Sequence, residues 1–290
     1  MPNKSASRDA DTQATYASQM GPISTTFLIP LALRAASTRG VDVTPLIAKF
    51  GLPTTITATQ QVVLPIVTQG EVFEAIAKAT NDPLFGVHFA FEHPRGAIGL
   101  VEYVFRTAPT VSDALTVLAR FSAMANSAFS FQIEHTATEL VLHDIMSLGR
   151  QWNEWLFAFL VARIREMADA RLSPRAVRFV HARHGQYRRV AETLGSPIAF
   201  DSDDNQLAFS MTDANRKLES ADPVLHELLV ELAEQKHIEH TTAKPWTLQV
   251  RAAVRQELPL RLLTLEATAR RLGKPARWLQ RTLDAEHTRF

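Results

Sequence analysis

Residues Thr264–Phe290 read TLEATARRLGKPARWLQRTLDAEHTRF. The Thr264 hydroxyl can accept a hydrogen bond from an early backbone N–H, which makes it a helix N-cap. Gly273 suits the left-handed position that ends a helix, and Pro275 suits the start of the next one. The spacing predicts one helix over Leu265–Leu272 and a second beginning at Pro275. Leu265, Leu272, Leu279 and Leu283 are the apolar knobs, and Ala269 is small enough to let two helices cross closely. Helix, glycine turn, helix at this spacing is the helix-turn-helix arrangement.

The second helix divides by face. Leu279 and Leu283 lie i, i+4 and point inward. Arg277, Gln280 and Arg281 lie i, i+3, i+4 on another face. An arginine fork can grip guanine O6 and N7, and a glutamine amide can pair with adenine N6 and N7. These three residues are the candidates for reading bases. Arg270, Arg271, Lys274, Trp278 and Arg289 are candidates for phosphate or groove contacts, which give affinity without sequence information.

Charge supports this division. The chain has 290 residues and a net charge of +1. From Thr247 to Phe290 there are nine Lys/Arg and four Asp/Glu, so this end is basic and the remainder acidic. A basic end on an acidic body points to a polyanionic partner for the end alone. A solvated basic helix face is the plain alternative.

The rest of the composition is that of a globular chain with a full core. There is no cysteine, which excludes disulfides and thiolate chemistry and favours a cytoplasmic protein. Residues 1–20 are polar without an apolar core segment, so they read as a disordered arm and not as a secretory signal. The longest apolar run, Trp155–Ala162, is far short of the about 20 residues that cross a bilayer.

Upstream, the periodicity predicts a helix starting near Thr25 and a short one after Val43, with Thr44 as N-cap and Pro45 at its first position. Amphipathic helices are expected at Thr68–Thr80 and Ser112–Met124, with Asp82-Pro83 opening a short one. The period then changes to two. Phe129, Phe131 and Ile133 alternate with polar residues, and Glu139–Ile145 returns as the second strand of a hairpin. A long buried helix covers Gln151–Asp169. Short strands at Val177–His181, Pro197–Phe200 and Gln206–Ser210 surround a small helix at Tyr187–Leu194, and Asp222-Pro223 opens a long helix ending near His240. No βαβ alternation is read, so a doubly wound nucleotide fold is not expected. The expected class is helix-rich α+β: a disordered arm (1–20), an effector-binding or dimerisation domain with a small antiparallel sheet (21–240), a linker (241–246) and an all-α helix-turn-helix half-module (247–290).

No catalytic constellation is present. The chain has no G-x-S-x-G, P-loop or G-x-G-x-x-G pattern, so no enzyme and no cofactor is expected. His181/His184 and His237/His240 have ligand-like spacings, but a third ligand is not identifiable, and no metal is expected. Phe129, Phe131, Trp152, Trp155 and Phe159 read first as core. They are also the candidate apolar walls of an effector pocket.

The C-terminal stretch resembles the first helix-turn-helix of AraC/XylS-type transcription regulators. Leu265, Ala269, Arg270, Leu272, Gly273, Arg277, Leu279, Gln280, Arg281, Leu283 and Phe290 match that pattern. The preceding region is similar to the "arabinose-binding" type sensor domain of one branch, through Phe50–Pro53 (FGLP), Thr80–Val87 (TNDPLFGV), Ala108–Leu115 (APTVSDAL), Ser173–Arg183 (SPRAVRFVHAR) and Ala221–Leu225 (ADPVL). Two residues depart from the pattern. Pro275 stands where the family has a capping serine, and His287 where it has a glycine. Family members continue past the phenylalanine into a connecting helix and a second helix-turn-helix, so this chain is expected to be truncated after the first. The resemblance implies a one-component regulator that binds double-stranded DNA under control of a small effector. Self-association fits, because duplicated half-sites reinforce weak single modules. The alternative is an effector-binding or dimerising protein without competent DNA binding.

Overall fold

The computed structural model describes residues 23–54, 61–242, 250, 264–271, 275–285 and 290. They fall in two compact units, Pro22–Lys236 and His237–Phe290. The expected arm, and linker residues 243–246, lie outside the described residues.

The N-terminal unit begins with strand β1 (Ile23–Thr26), helices α1 (Leu28–Thr38) and α2 (Thr44–Lys49), and strand β2 (Val62–Pro65). β1 and β2 pair antiparallel, with Ile23 opposite Pro65 and Thr26 opposite Val62. Thus Thr25 lies in a strand, and the helix expected there starts at Leu28. The Thr26 hydroxyl accepts from the Leu28 N–H at 3.0 Å and marks the change from strand to helix. Thr44 is the first residue of α2 and not its cap. Val43 is the N-cap residue, and the Asp42 carboxylate before it accepts from the Thr44 N–H at 2.9 Å.

Four helices follow: α3 (Ile66–Ala79), α4 (Phe85–Glu92), α5 (Leu100–Thr107) and α6 (Val111–Ala125). α6 starts on a reciprocal cap. The Thr110 hydroxyl accepts from the Asp113 N–H at 3.1 Å and donates to the Asp113 carboxylate at 2.6 Å. Beyond it come β3 (Phe131–His135), β4 (Glu139–Asp144), α7 (Arg150–Met167), β5 (Ala176–Arg178), α8 (Tyr187–Leu194), β6 (Ile198–Ala199), β7 (Asn205–Ser210), α9 (Met211–Ala214) and α10 (Pro223–Thr242). The order in the larger sheet is β3-β4-β7-β5-β6. Every pairing is antiparallel except β5 with β6, which run parallel. β5, α8 and β6 therefore form one small βαβ unit, which the sequence reading did not anticipate.

α7 runs through the core. It buries Trp152, Trp155, Phe157, Phe159 and Ile164, but also Gln151, Asn153 and Glu154. A helix buried nearly all round must satisfy its polar side chains internally. The Gln151 side chain does so by accepting from the Gly86 N–H at 2.7 Å and donating to the Pro83 carbonyl at 2.8 Å. This joins α7 to the start of α4. The Glu74 carboxylate of α3 accepts from the Gln151 N–H at 2.9 Å, which fills the first turn of α7 where Gly149 offers no side chain.

In the C-terminal unit, α11 spans Leu265–Arg271 and α12 spans Ala276–Ala285. The Thr264 hydroxyl takes the Ala267 N–H at 3.1 Å, the cap read from the sequence. Val250, Ala269, Leu279 and Leu283 form a separate small apolar core, with Leu265 and Ala276 packed against it.

Candidate functional site

α12 sorts its residues by side. Leu279 and Leu283 are buried, whereas Arg277 and Arg281 are exposed and Gln280 is half-buried. The three residues expected to read bases therefore share a face away from the small core. For Arg270, Arg271 and Trp278 the backbone is described and the side chain is not. Lys274, Arg289 and the turn residue Gly273 lie outside the described residues.

In the N-terminal unit, the five aromatic residues expected to wall an effector pocket come together as packed interior. Phe129 stacks on Phe131 at 5.6 Å between ring centres, Trp152 lies 5.2 Å from Trp155, and Trp155 stacks on Phe159 at 5.7 Å. Their neighbours Phe73 and Phe89 fill the remaining sides. None of the five lines the cleft found among the described residues.

That cleft has a volume of about 540 Å³. One wall is the outer face of α3, carrying Val67, Glu71, Glu74 and Lys78 at helical spacing. Lys49, the last residue of α2, stands at the rim. The floor is the backbone of Ser147, Leu148 and Gly149 just before α7. Gly70 lets α3 lie directly on this floor, because a Cβ there would collide with the Leu148 carbonyl oxygen. The sequence predicts only an amphipathic helix over Thr68–Thr80, and nothing in it marks the cleft.

Charged groups are also buried elsewhere. Glu102 is buried against Arg163, with Oε1 3.1 Å from Nε. The same guanidinium donates to the His93 carbonyl at 2.7 Å and pairs with Glu166 at 3.1 Å. His93 itself is buried, and its Nε2 accepts from the Trp155 indole N–H at 3.1 Å. Burial, aided by the charge of Arg163, pushes its pKa down to about 3. Asp144 shows the opposite case. Burial raises its pKa to about 7, against weaker opposing hydrogen bonds from the Met146 N–H and Asn205.

His181 and His184, whose spacing suggested metal ligands, flank the buried Glu154. His184 Nε2 is 2.6 Å from Glu154 Oε1 and His181 Nε2 is 3.8 Å from it. Arg150 holds the other carboxylate oxygen at 3.3 Å. Among the described residues no group of three histidines or carboxylates is arranged to hold a metal ion. No described helix is long and apolar enough to cross a membrane.

The two units are thus an α+β body and a short helix pair. Comparison with known proteins gives the class, a regulator of transcription. Residues 40–218 match the family described as the arabinose-binding domain of AraC transcription regulators, N-terminal. The chain belongs to this family. It is 24% identical over 259 residues to the HTH-type transcriptional regulator VirS of Mycobacterium tuberculosis, from strains CDC 1551 / Oshkosh and ATCC 25618 / H37Rv alike. The match covers 86% of this chain and 75% of that protein. Its fold is similar to the crystal structure of the transcriptional regulator CdpR from Pseudomonas aeruginosa, with a TM-score of 0.51 at 15% identity. That superposition covers 90% of this chain and 80% of the other. The family and these relatives are described as regulators of transcription.

Proposed function

We propose that the chain is a sequence-specific DNA-binding transcription regulator, controlled by a small effector through its N-terminal unit. The observation that carries this reading is the division of α12. Arg277 and Arg281 are exposed and Gln280 is half-buried, while Leu279 and Leu283 enter the small core, and the preceding helix is capped by Thr264. In this reading α11 and α12 are a helix-turn-helix half-module, with α12 in the major groove. Arg277, Gln280 and Arg281 contact base edges, and Arg270, Arg271, Lys274, Trp278 and Arg289 contact phosphates or the groove wall. Fluorescence anisotropy on a site selected from random DNA tests it. Arg277→Ala is expected to cost about 1–3 kcal/mol on that site and to relax its sequence preference, whereas Arg270→Ala weakens all DNA alike. Absence of salt-sensitive binding at low salt would overturn the reading.

A specific feature favours self-association as part of this function. Along α10, Val224, Leu225, Leu228 and Leu232 are 72%, 43%, 59% and 42% exposed. Their spacing places them along one side of the helix, and such a stripe is self-complementary about a two-fold axis. The second reading, a dimerising effector-binding protein without DNA binding, shares this feature. The DNA titration separates the two.

A further inference from the structure

We propose that Glu154, His181 and His184 form an acid-sensitive latch, which holds the segment between β5 and α8 against the start of α7 at neutral pH and lets it open as pH falls. This goes beyond the reading of the chain as a regulator and stands on contacts within the N-terminal unit alone.

The latch joins two parts of different character. Glu154 is fully buried on α7. Residues 179–186 are irregular, and Ala182, Arg183 and Gly185 among them are exposed. Two histidines of this segment turn back toward one carboxylate oxygen. His184 Nε2 lies 2.6 Å and His181 Nε2 3.8 Å from Glu154 Oε1. The His181 ring stacks on Phe179 at 4.7 Å between centres and meets Phe200 at 5.6 Å.

The partners of the other ring nitrogens set the tautomers. His184 Nδ1 lies 3.3 Å from the Gln186 nitrogen and accepts its N–H, so Nε2 carries the proton and donates to Glu154. His181 Nδ1 lies 3.1 Å from the Ala182 carbonyl and donates to it. Its Nε2 is then a lone pair, buried without a hydrogen-bond partner. Both rings are neutral in this arrangement, and the Glu154 charge is matched by Arg150 at 3.3 Å. Arg150 lies in turn 3.9 Å from Glu74 of α3. Of the ionisable neighbours on the flanking segments, Arg183 and Asp201 are exposed and Tyr187 is half-buried.

A proton added to His181 places a further positive charge beside Arg150 and the His184 ring, away from water. Burial lowers the His181 pKa below its ordinary 6.5, outweighing the Ala182 carbonyl and Glu154, which favour the proton. The open segment, where water reaches the ring, therefore binds the proton more readily than the closed one. The hold of the closed latch is full above the ordinary value and is lost as pH falls below it. A proton taken up only on opening shifts the balance by about tenfold per pH unit.

Hydrogen–deuterium exchange of the full chain, read by mass spectrometry at about pH 7.5 and about pH 5.5 and corrected for the intrinsic effect of pH, tests this. Amides of residues 180–186 are expected to open about tenfold more readily at the lower pH, while those of residues 156–164 in α7 keep their protection. His181→Phe keeps a ring between Phe179 and Phe200, and His184→Gln keeps a side-chain N–H for Glu154. The double variant is expected to match the parent at neutral pH and to lose the acid response. His93 also responds to acid, but it is the same in both proteins. Parent amides that open equally at both pH values overturn the proposal, as does an acid response of equal size in the double variant. Histidine nitrogen-15 NMR gives a check on the parent alone: a neutral His181 with its proton on Nε2 overturns the latch as well.

Discussion

His93 is a histidine held as a neutral base. Trp155 donates to its Nε2, so the proton sits on Nδ1, and Phe89 and Phe159 enclose the ring at 4.3 and 5.5 Å. Its pKa is about 3 when folded and about 6.5 when unfolded. The unfolded chain therefore binds the proton first as pH falls. The stability His93 contributes is present above the unfolded value and is lost as pH drops toward the folded one. Asp144 works in the other direction. Its folded pKa of about 7 lies above the ordinary 3.8. Its contribution is complete below the ordinary value and is lost as pH rises through the folded one. Asp144→Asn is expected to remove the loss on the neutral side and to raise stability at about pH 8 by roughly 2 kcal/mol. Urea unfolding of both proteins at about pH 5 and about pH 8 checks this. A variant no more stable than the parent at the higher pH would show that the buried charge carries no penalty. The sequence showed neither behaviour, because both residues owe it to burial by segments distant in the chain.

At the scale of elements, the contact of α3 with the floor below it depends on Gly70. Elsewhere in a helix, alanine in place of glycine gains about 1 kcal/mol. Here the added Cβ would meet the Leu148 carbonyl and lie 3.1 Å from the Leu148 Cβ. Backbone on both sides leaves little room to yield, and overpacking of this kind costs about 3 kcal/mol. Gly70→Ala is therefore expected to lower net stability by about 2 kcal/mol, seen as a lower thermal midpoint. An unchanged or higher midpoint would mean that α3 can move away from the floor. The elements best read in advance were those with their own local signals. α6 had a full apolar stripe, β3 alternated apolar with polar residues, and α10 began at an Asp-Pro pair. α5 was not read. Its apolar Val101, Val104 and Phe105 are interrupted by Glu102, whose burial is offset by the Arg163 guanidinium and the Ile98 N–H. β1 and β2 were missed because four-residue strands carry almost no periodicity, and their pairing joins segments 36 residues apart at their closest, Thr26 to Val62. At the edge of the larger sheet both strands and the helix between them were read, but not that β5 and β6 pair in parallel.

For the molecule as a whole, the sequence separated a basic end from an acidic body, and that separation carried the functional reading. The division of α12 into a buried leucine side and an exposed arginine side was legible because a single short helix sets it. The cleft was not, since three separate segments build it. The apolar stripe on α10 gives the clearest test at this scale. Leu228→Glu is expected to shift the protein from dimer to monomer at micromolar concentration in analytical ultracentrifugation, with little change in circular dichroism. A parent protein that is already monomeric, or a variant that stays dimeric, would exclude this face as the interface. The Glu74 cap has a further consequence, for the order of folding. Gly149 cannot start α7 by itself, and the carboxylate that does so is 77 residues away in sequence from the amide it accepts. Closing so long a loop costs entropy before any contact repays it. The first turn of the central helix therefore belongs to the late part of folding. The helix is stabilised at its origin only after α3 has docked, so its secondary structure is completed by tertiary structure.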